Sequence, residues 1–457
     1  MDEVRHTKRL CPFLTQSWRA AGCVLVFFLV IGSTYIVKPV RESLLVSQFS
    51  PEVFPRFYLI VCGLALLFAM GFVPLMRRVP VRWAILVGYA FCSAVFLGFW
   101  AVQRLVPLTR TGQNWYGIAF YVWASLFNIF GVFLFWSVTD SLFRTPEAKL
   151  WYGWIGLGGV MGGIVGSTTA ATLAQRLTTF GLLPIAGVGF AASAVMTYFL
   201  CRGAQRIITA DHEVVHFSEV FRLFRQPVVI RLALITVLHT AMITGVDLQI
   251  KGILSNEHLA RDTLTRFWGG YYAYINWGAL GFNLLITAPV LRLWGPRVGL
   301  LMLPLTSLAF PLLLQWSPPN GHIWLPLVGS VPLQAALLVF VGVPIGTLAY
   351  TIQQAARELL YVPQPGSVRF QVKSFVDTFG FRAGNSVASL TAIAFGGNVA
   401  HLPAFSVLIA FGSMIWAAVS LRAASDFTRA DTAGNDRQPL SAGSNRTHLS
   451  LIHRKNG

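Results

Sequence analysis

Apolar runs of about twenty residues recur from residue 20 to residue 422 of this 457-residue chain. The hydrocarbon core of a bilayer is about 30 Å thick, and a helix of about 20 apolar residues crosses it. Inside it no water satisfies backbone N–H and C=O groups, so only helices and closed barrels span it. Runs of this length specify helices. Composition agrees: 55% of residues are hydrophobic, 11% are charged, and the mean hydropathy is +0.63. Soluble domains carry about 25% charged residues. The expected fold class is an all-α membrane protein, a helix bundle surrounded by lipid.

About twelve spans are expected, at 20–47, 54–75, 82–105, 115–143, 149–175, 179–201, 227–253, 264–290, 296–316, 331–361, 368–396 and 402–422. They divide into two six-helix bundles, 20–201 and 227–422, joined by a polar linker at 202–226. Residues 1–19 form an N-terminal tail, and 423–457 are polar, poor in aromatics and expected to be disordered. Within the linker, Phe217, Val220, Phe221 and Phe224 recur at helical spacing. This stretch is expected to lie as an amphipathic helix on the inner membrane face. A weak internal repeat sets Asp140-Ser141-Leu142-Phe143…Pro146…Lys149 beside Glu358-Leu359-Leu360-Tyr361…Pro363…Arg369. It pairs the fourth span with the tenth.

The net charge is +18. In a soluble chain that balance points to nucleic acid. Here the basic residues crowd alternate connections, among them Arg5, Arg77, Arg78, Arg144, Lys149, Arg202, Arg206, Arg292 and Arg297. The opposite connections hold fewer, chiefly Arg56, Arg104, Arg110, Arg176, Arg261 and Arg266. By the positive-inside rule both termini are cytoplasmic, and no nucleic-acid partner is expected. The five cysteines (Cys11, Cys23, Cys62, Cys92, Cys201) are isolated and support neither a disulfide framework nor a zinc site. Glycines four apart, at Gly159/Gly163, Gly162/Gly166 and Gly380/Gly384, suit close helix packing. No phosphate-binding Gly-x4-Gly-Lys-Ser/Thr loop, metal motif or nucleophile elbow is present, so no cofactor and no enzymatic activity are expected.

Ionisable residues nonetheless sit inside the spans. Each costs roughly 2.5–3.5 kcal/mol at the bilayer centre on insertion scales, and such residues mark substrate or ion pathways. The first span carries Lys38, Arg41 and Glu42, with a kink expected at Pro39. Lys38 and Glu42 are spaced to pair at i,i+4, which leaves Arg41 for a ligand. The fourth carries Asp140. The seventh carries Asp247 and Lys251, again at i,i+4, with His239 as a packed polar residue. The tenth and eleventh carry Arg357, Glu358, Arg369, Lys373, Asp377, Arg382 and Asn385.

Four ordered elements resemble the ATP/ADP translocases of plastids and intracellular bacteria and their bacterial nucleotide-exchanger relatives. They are the Lys38–Arg41–Glu42 segment; Phe135-Trp136 with Glu147-Ala148-Lys149; Asp247…Lys251; and Arg357-Glu358, Tyr361-Val362-Pro363, Lys373…Asp377 and Gly384-Asn385-Ser386. Two positions depart from the family pattern. Asn385 stands where a lysine is common, and Tyr121-Val122-Trp123-Ala124 contains no acid where the family has a functional glutamate.

The resemblance implies the twelve-helix major-facilitator fold and ATP/ADP or other nucleotide exchange by alternating access in a bacterial inner membrane, with a monomer expected. It places substrate contacts on Lys38, Arg41, Asp247, Lys251, Arg357, Lys373 (with Arg369 as its alternative) and Arg382. Glu42, Asp140, Glu358 and Asp377 then serve as ion-pairing or coupling acids. A nucleotide polyphosphate needs several cationic donors capable of bidentate contact. Its base could stack on Trp123, Trp136 or Tyr361. Two other readings stay open. One is transport of another organic anion, with Asp140 carrying a coupling proton. The other is a non-transport membrane sensor.

Overall fold

The computed structural model describes residues 2–76, 81–143, 145–201, 222–315, 321–364, 368, 372–399 and 403–435. Most of the expected interfacial helix at 217–225 lies outside these residues, as do Arg77, Arg78, Arg144, Arg202, Arg206, Arg369 and the chain beyond 435.

The first six helices are α1 (Asp2–Gln48), α2 (Phe54–Met76), α3 (Val81–Leu105), α4 (Arg110–Leu142), α5 (Thr145–Leu177) and α6 (Leu183–Leu200). After the linker come α7 (Pro227–Asn256), α8 (Arg261–Phe282), a π-helical turn (Asn283–Thr287) and α9 (Ala288–Gln315). Then follow strands β1 (His322–Leu325) and β2 (Gly329–Pro332), α10 (Leu333–Tyr350) and α11 (Ile352–Tyr361). A short helical turn (Lys373–Phe375), a second π-turn (Val376–Gly380), α12 (Phe381–Ala394) and α13 (Pro403–Asn435) complete the described chain. Local sequence sets several boundaries. The Thr109 hydroxyl accepts from the Gly112 amide to cap α4. Pro227 opens α7, where a missing N–H costs nothing.

Ten stretches among the described residues are long and apolar enough to cross a bilayer. One of them, Arg261–Pro311, runs for 51 residues. It holds two of the expected spans, and non-helical backbone at Gly295 (φ 68°, ψ −176°) breaks it between them. The expected span at 368–396 is not among the ten; its described part is a helical turn, the π-turn and the 14-residue α12, and it carries Lys373, Asp377 and Arg382. The continuous helix expected over 331–361 is divided at Thr351 (φ −118°, ψ −100°). An antiparallel hairpin, with Ile323 opposite Val331, joins α9 to α10 and modifies the all-α expectation. Helix also exceeds the expected limits at both ends, from Asp2 and to Asn435. The extension of α13 is held by packing: Ala423 and Ala424 are buried with Leu232 and Leu360, and Asp426 pairs with Arg231. The helix α1 runs unbroken through Pro39.

The bundle is built on α1, α5 and α8. Helix α1 packs along α5 and α6, and α8 packs against both α1 and α5. Glycine makes the first of these contacts possible. A Cβ on Gly158, Gly162 or Gly166 would lie 2.5, 2.3 or 2.1 Å from the carbonyl oxygens of Val24, Phe28 and Gly32. The α1 and α5 backbones therefore touch over two turns, the approach that small residues four apart allow in lipid. Gly163 meets Asn276 of α8, and Gly384 of α12 meets Thr240 and the Val237 carbonyl of α7. A side chain at Gly166 meets rigid backbone, whereas Gly156 has open space. Gly166→Leu is expected to destabilise the purified protein by about 1–3 kcal/mol or more, the usual cost of overpacking, while Gly156→Leu stays near wild type. Thermal unfolding in detergent distinguishes them; equal melting points would contradict this packing.

Candidate functional site

Polar side chains from several helices converge on a cavity of about 500 Å³. Helix α1 contributes Lys38, Arg41 and Glu42, and α7 contributes Asp247 and Lys251. Tyr58 enters from α2, Tyr271 and Tyr272 from α8, and Arg382 and Asn385 from α12. Positions 38, 41 and 42 share one face of α1, and 247 and 251 one face of α7, by the i,i+3/i+4 rule. The packing of α1 against α8 and α7 brings those faces together.

At the cavity wall lies an ion cluster that crosses from the first six helices to the later ones. Glu42 and Lys251 are each 1% exposed, and Lys251 Nζ lies 2.8 Å from Glu42 Oε2. Glu42 also pairs with Arg41, and Lys251 pairs with Asp247 at 2.7 Å. The Tyr58 hydroxyl donates to Asp247 and accepts from Lys251 at 2.5 Å. Arg41 Nη1 donates to Ser125 of α4 at 3.2 Å. Two cations and two carboxylates thus neutralise one another where water is scarce. Removing one member of such a set is costly because its partner stays buried and charged.

The expected Asp247–Lys251 pair is present. The expected Lys38–Glu42 pair is not, and Arg41, expected to await a ligand, is bonded to Glu42. Spacing along one helix reveals only intrahelical neighbours, and here a cation from α7 reaches Glu42. Lys38 Nζ instead lies over the rings of Tyr272 (4.1 Å) and Tyr35 (5.2 Å). Among the described residues neither Lys38 nor Arg382 has an acidic partner. Asn385 accepts from the Thr244 hydroxyl at 2.7 Å. His239 packs edge-on to Trp416 and lines the cavity.

The remaining charged residues form a second cluster. Arg357 lies 3.3 Å from Asp377, and Lys373 lies 2.6 Å from Glu358. Lys373 and Asp377 sit at i,i+4, yet each reaches across to α11. Lys373 precedes the π-turn at Val376–Gly380, Asp377 lies within it, and the turn leads into α12. Glu358 and Lys373 line a separate cavity of about 760 Å³. The expected substrate residues therefore fall into two places. Gln354 links them: it lines the central cavity, accepts from Arg357 at 3.1 Å and donates to Glu358 at 3.3 Å. Sequence reasoning missed Gln354, although an amide in an apolar run was a usable clue.

Asp140 is exposed near the end of α4, accepts from the Tyr152 hydroxyl at 2.6 Å and does not line the central cavity. Neither Trp123, Trp136 nor Tyr361 lines it; Tyr271, Tyr272, Tyr350 and Phe381 do.

Further hydrogen bonds cross between the same two groups of helices beyond Glu42, toward the Gln48 end of α1. Ser43 bonds Thr265 at 2.6 Å, Ser47 bonds Arg261 at 3.1 Å, and Thr179 bonds Asp262 at 2.6 Å. Gln175 accepts from Arg266 at 2.8 Å, and Arg266 also donates to the hairpin carbonyl of Leu327. These bonds tie the two groups of helices together at this end.

No family model matches the chain. It is 23% identical over 309 residues to the ADP,ATP carrier protein 1 of Rickettsia bellii (strain RML369-C), an alignment covering 61% of each chain. The chain thus spans about three fifths of the length of that curated relative. In fold it is similar to a peptide transporter POT in complex with alafosfalin (TM-score 0.61, 11% identity, 91% of this chain and 99% of that one). It is also similar to the nucleoside transporter NupG (0.58, 12%, 91% and 99%). A bacterial homologue of the human lysosomal transporter Spinster, inward-facing and unoccupied, is a third similar structure (0.56, 13%, 91% and 98%). The fold is the multi-pass helical fold that these transporter structures share. In sequence the chain is similar, at that level, to one ADP,ATP carrier protein.

Lys251 and Lys38 provide a test of the ion cluster. Lys251→Met leaves two carboxylates facing each other and is expected to cost about 3–5 kcal/mol, the range for breaking a buried pair. Lys38→Met removes a cation with no acidic partner and is expected to cost less than about 1 kcal/mol, or to stabilise. Equal shifts in melting temperature would show that the cluster does not form as described.

Proposed function

We propose that the protein exchanges nucleotides, ATP for ADP or a related pair, by alternating access. In this reading the chain has twelve spans in two six-helix bundles, 20–201 and 227–422. The 51-residue stretch counts as two spans, and the segment ending in α12 as one. The N- and C-termini are cytoplasmic in a bacterial inner membrane, and the protein works as a monomer. In this reading the Gln48 end is the outer end, held closed by the bonds between the bundles, and the cytoplasmic end is the open side of the cavity.

The observation that carries the proposal is the pairing state of the cavity. Lys38 and Arg382 lack acidic partners among the described residues, beside an already neutral set of Arg41, Lys251, Glu42 and Asp247. A polyphosphate supplies the missing negative charge, with Arg382 able to grip it bidentately. Lys38 over Tyr272 presents its ammonium within reach of the same space. Tyr271, Tyr350 and Phe381 offer ring faces for a base. Because Glu42–Lys251 joins the two bundles, a phosphate that competes for Lys251 or Arg41 loosens the link on which the closed end rests. Arg357, Lys373, Glu358 and Asp377 act beside the cavity in this reading, through Gln354. Asp140 lies apart from it, which weighs against a proton carrier at that position. Another phosphorylated anion would satisfy the same cations, so uptake must decide the substrate.

The test is uptake of labelled ATP into proteoliposomes preloaded with ADP, phosphate or buffer. Uptake is expected to require internal nucleotide. Lys38→Ala and Arg382→Ala are each expected to lower it about ten-fold or more, in line with hydrogen bonds to charged groups. Absence of uptake under every preload by folded protein would overturn the nucleotide assignment; uptake of other phosphate esters in the same vesicles would then replace it.

A further inference from the structure

The second cavity is set apart from the transport path. It lies where the α8–α9 junction meets α11 and the helical turn before α12, and its volume is about 760 Å³. Leu291 and Leu359 form apolar walls, and Arg292, Lys373 and Glu358 bring charge to it. Lys373 and Glu358 neutralise each other at 2.6 Å, and each is a little over one third exposed. Arg292 is exposed and forms no ion pair among the described residues, so the three groups together carry one net positive charge. Tyr361 also lines the cavity and is 2% exposed, its hydroxyl turned into the protein.

The outer rim faces lipid. Leu293 and Trp294, next to Arg292, are 72% and 61% exposed. In a chain that crosses a bilayer, apolar surface of this kind meets hydrocarbon, and tryptophan favours the headgroup level. A crevice between membrane helices with a cationic mouth and apolar walls has the form of a headgroup site.

We propose that this crevice binds an anionic phospholipid. The phosphate meets Arg292 and Lys373, and an acyl chain lies along Leu291 and Leu359. Net positive charge selects against zwitterionic headgroups, whose own cation would face Arg292. The proposal rests on the reading of the chain as membrane-spanning and not on nucleotide exchange. It gives Lys373 a different ligand from the one its position in the sequence suggested.

The experiment is native mass spectrometry of the delipidated full-length protein. Phosphatidylglycerol and phosphatidylcholine of identical acyl chains are added, with and without inorganic phosphate. Phosphatidylglycerol is expected to bind at least about five-fold more tightly, on the scale of one basic residue near a membrane surface. Arg292→Gln is expected to abolish that preference and to keep the wild-type melting point in detergent alone. Equal binding of the two lipids would overturn the proposal, as would full preference in folded Arg292→Gln. Displacement of phosphatidylglycerol by millimolar inorganic phosphate would also overturn it, by showing a soluble-anion site. Nucleotide exchange by Arg292→Gln vesicles reads the transport assignment separately, since Arg292 lies outside the central cavity.

Discussion

The contact between Glu42 and Lys251 joins α1 to α7 through two side chains that are almost wholly buried. Neither charge could stay there alone. A buried ion is tolerated only with a partner and with hydrogen bonds to its remaining atoms. Arg41, Asp247, Tyr58 and Tyr272 supply those bonds from α1, α7, α2 and α8. Four helices are thereby held in register by one neutral set of charges. The cavity takes its shape from that constraint, because the residues lining it are the neighbours of the same cluster.

Such a cluster needs helices that approach closely and in one rotation. The glycine stripe of α5 provides this on the α1 side, where backbone meets backbone at Val24, Phe28 and Gly32. On the α8 side Gly269 meets the backbone of Ala171. In lipid, association does not gain from burying apolar surface, so close packing and interhelical hydrogen bonds carry it. The Ser43–Thr265 and Thr179–Asp262 contacts lie beyond the cluster, toward the Gln48 end of α1. The ion cluster and the hydroxyl bonds thus join the two groups of helices, while the glycine stripe fixes α1 against α5 within the first.

Charge placement distinguishes the two cavities. The central one collects cations in excess and is lined by tyrosines. The second pairs Lys373 with Glu358 and meets membrane-facing Trp294 through Arg292. Gln354 bonds both to Arg357 and to Glu358 and lines the central cavity, so the two places share one amide. Arg357 in turn stands over the ring of Phe381, 5.0 Å from its centre. The side-chain chain from cavity to crevice is short and continuous.

Much of this was legible in the residues. Apolar runs alone required membrane helices, since backbone groups in lipid have no other way to be satisfied. The charged residues inside those runs marked the interior, and Asp247 and Lys251 could be paired from their spacing because both ride on one helix. The glycines four apart announced close contacts at the right positions on α5 and α12. What spacing could not reveal was every relation between helices. Glu42 found Lys251 instead of Lys38, and Lys373 and Asp377 turned to Glu358 and Arg357, where a π-turn interrupts the regular helix. The break at Thr351 and the hairpin before α10 likewise arise from packing and not from local propensity. Sequence by itself determined which residues enter the membrane and which carry charge there. Only the tertiary structure decided which charges meet, because the partners lie on different helical segments, Glu42 and Lys251 about two hundred residues apart and Lys373 and Glu358 fifteen, and their rotation is set by contact between backbones.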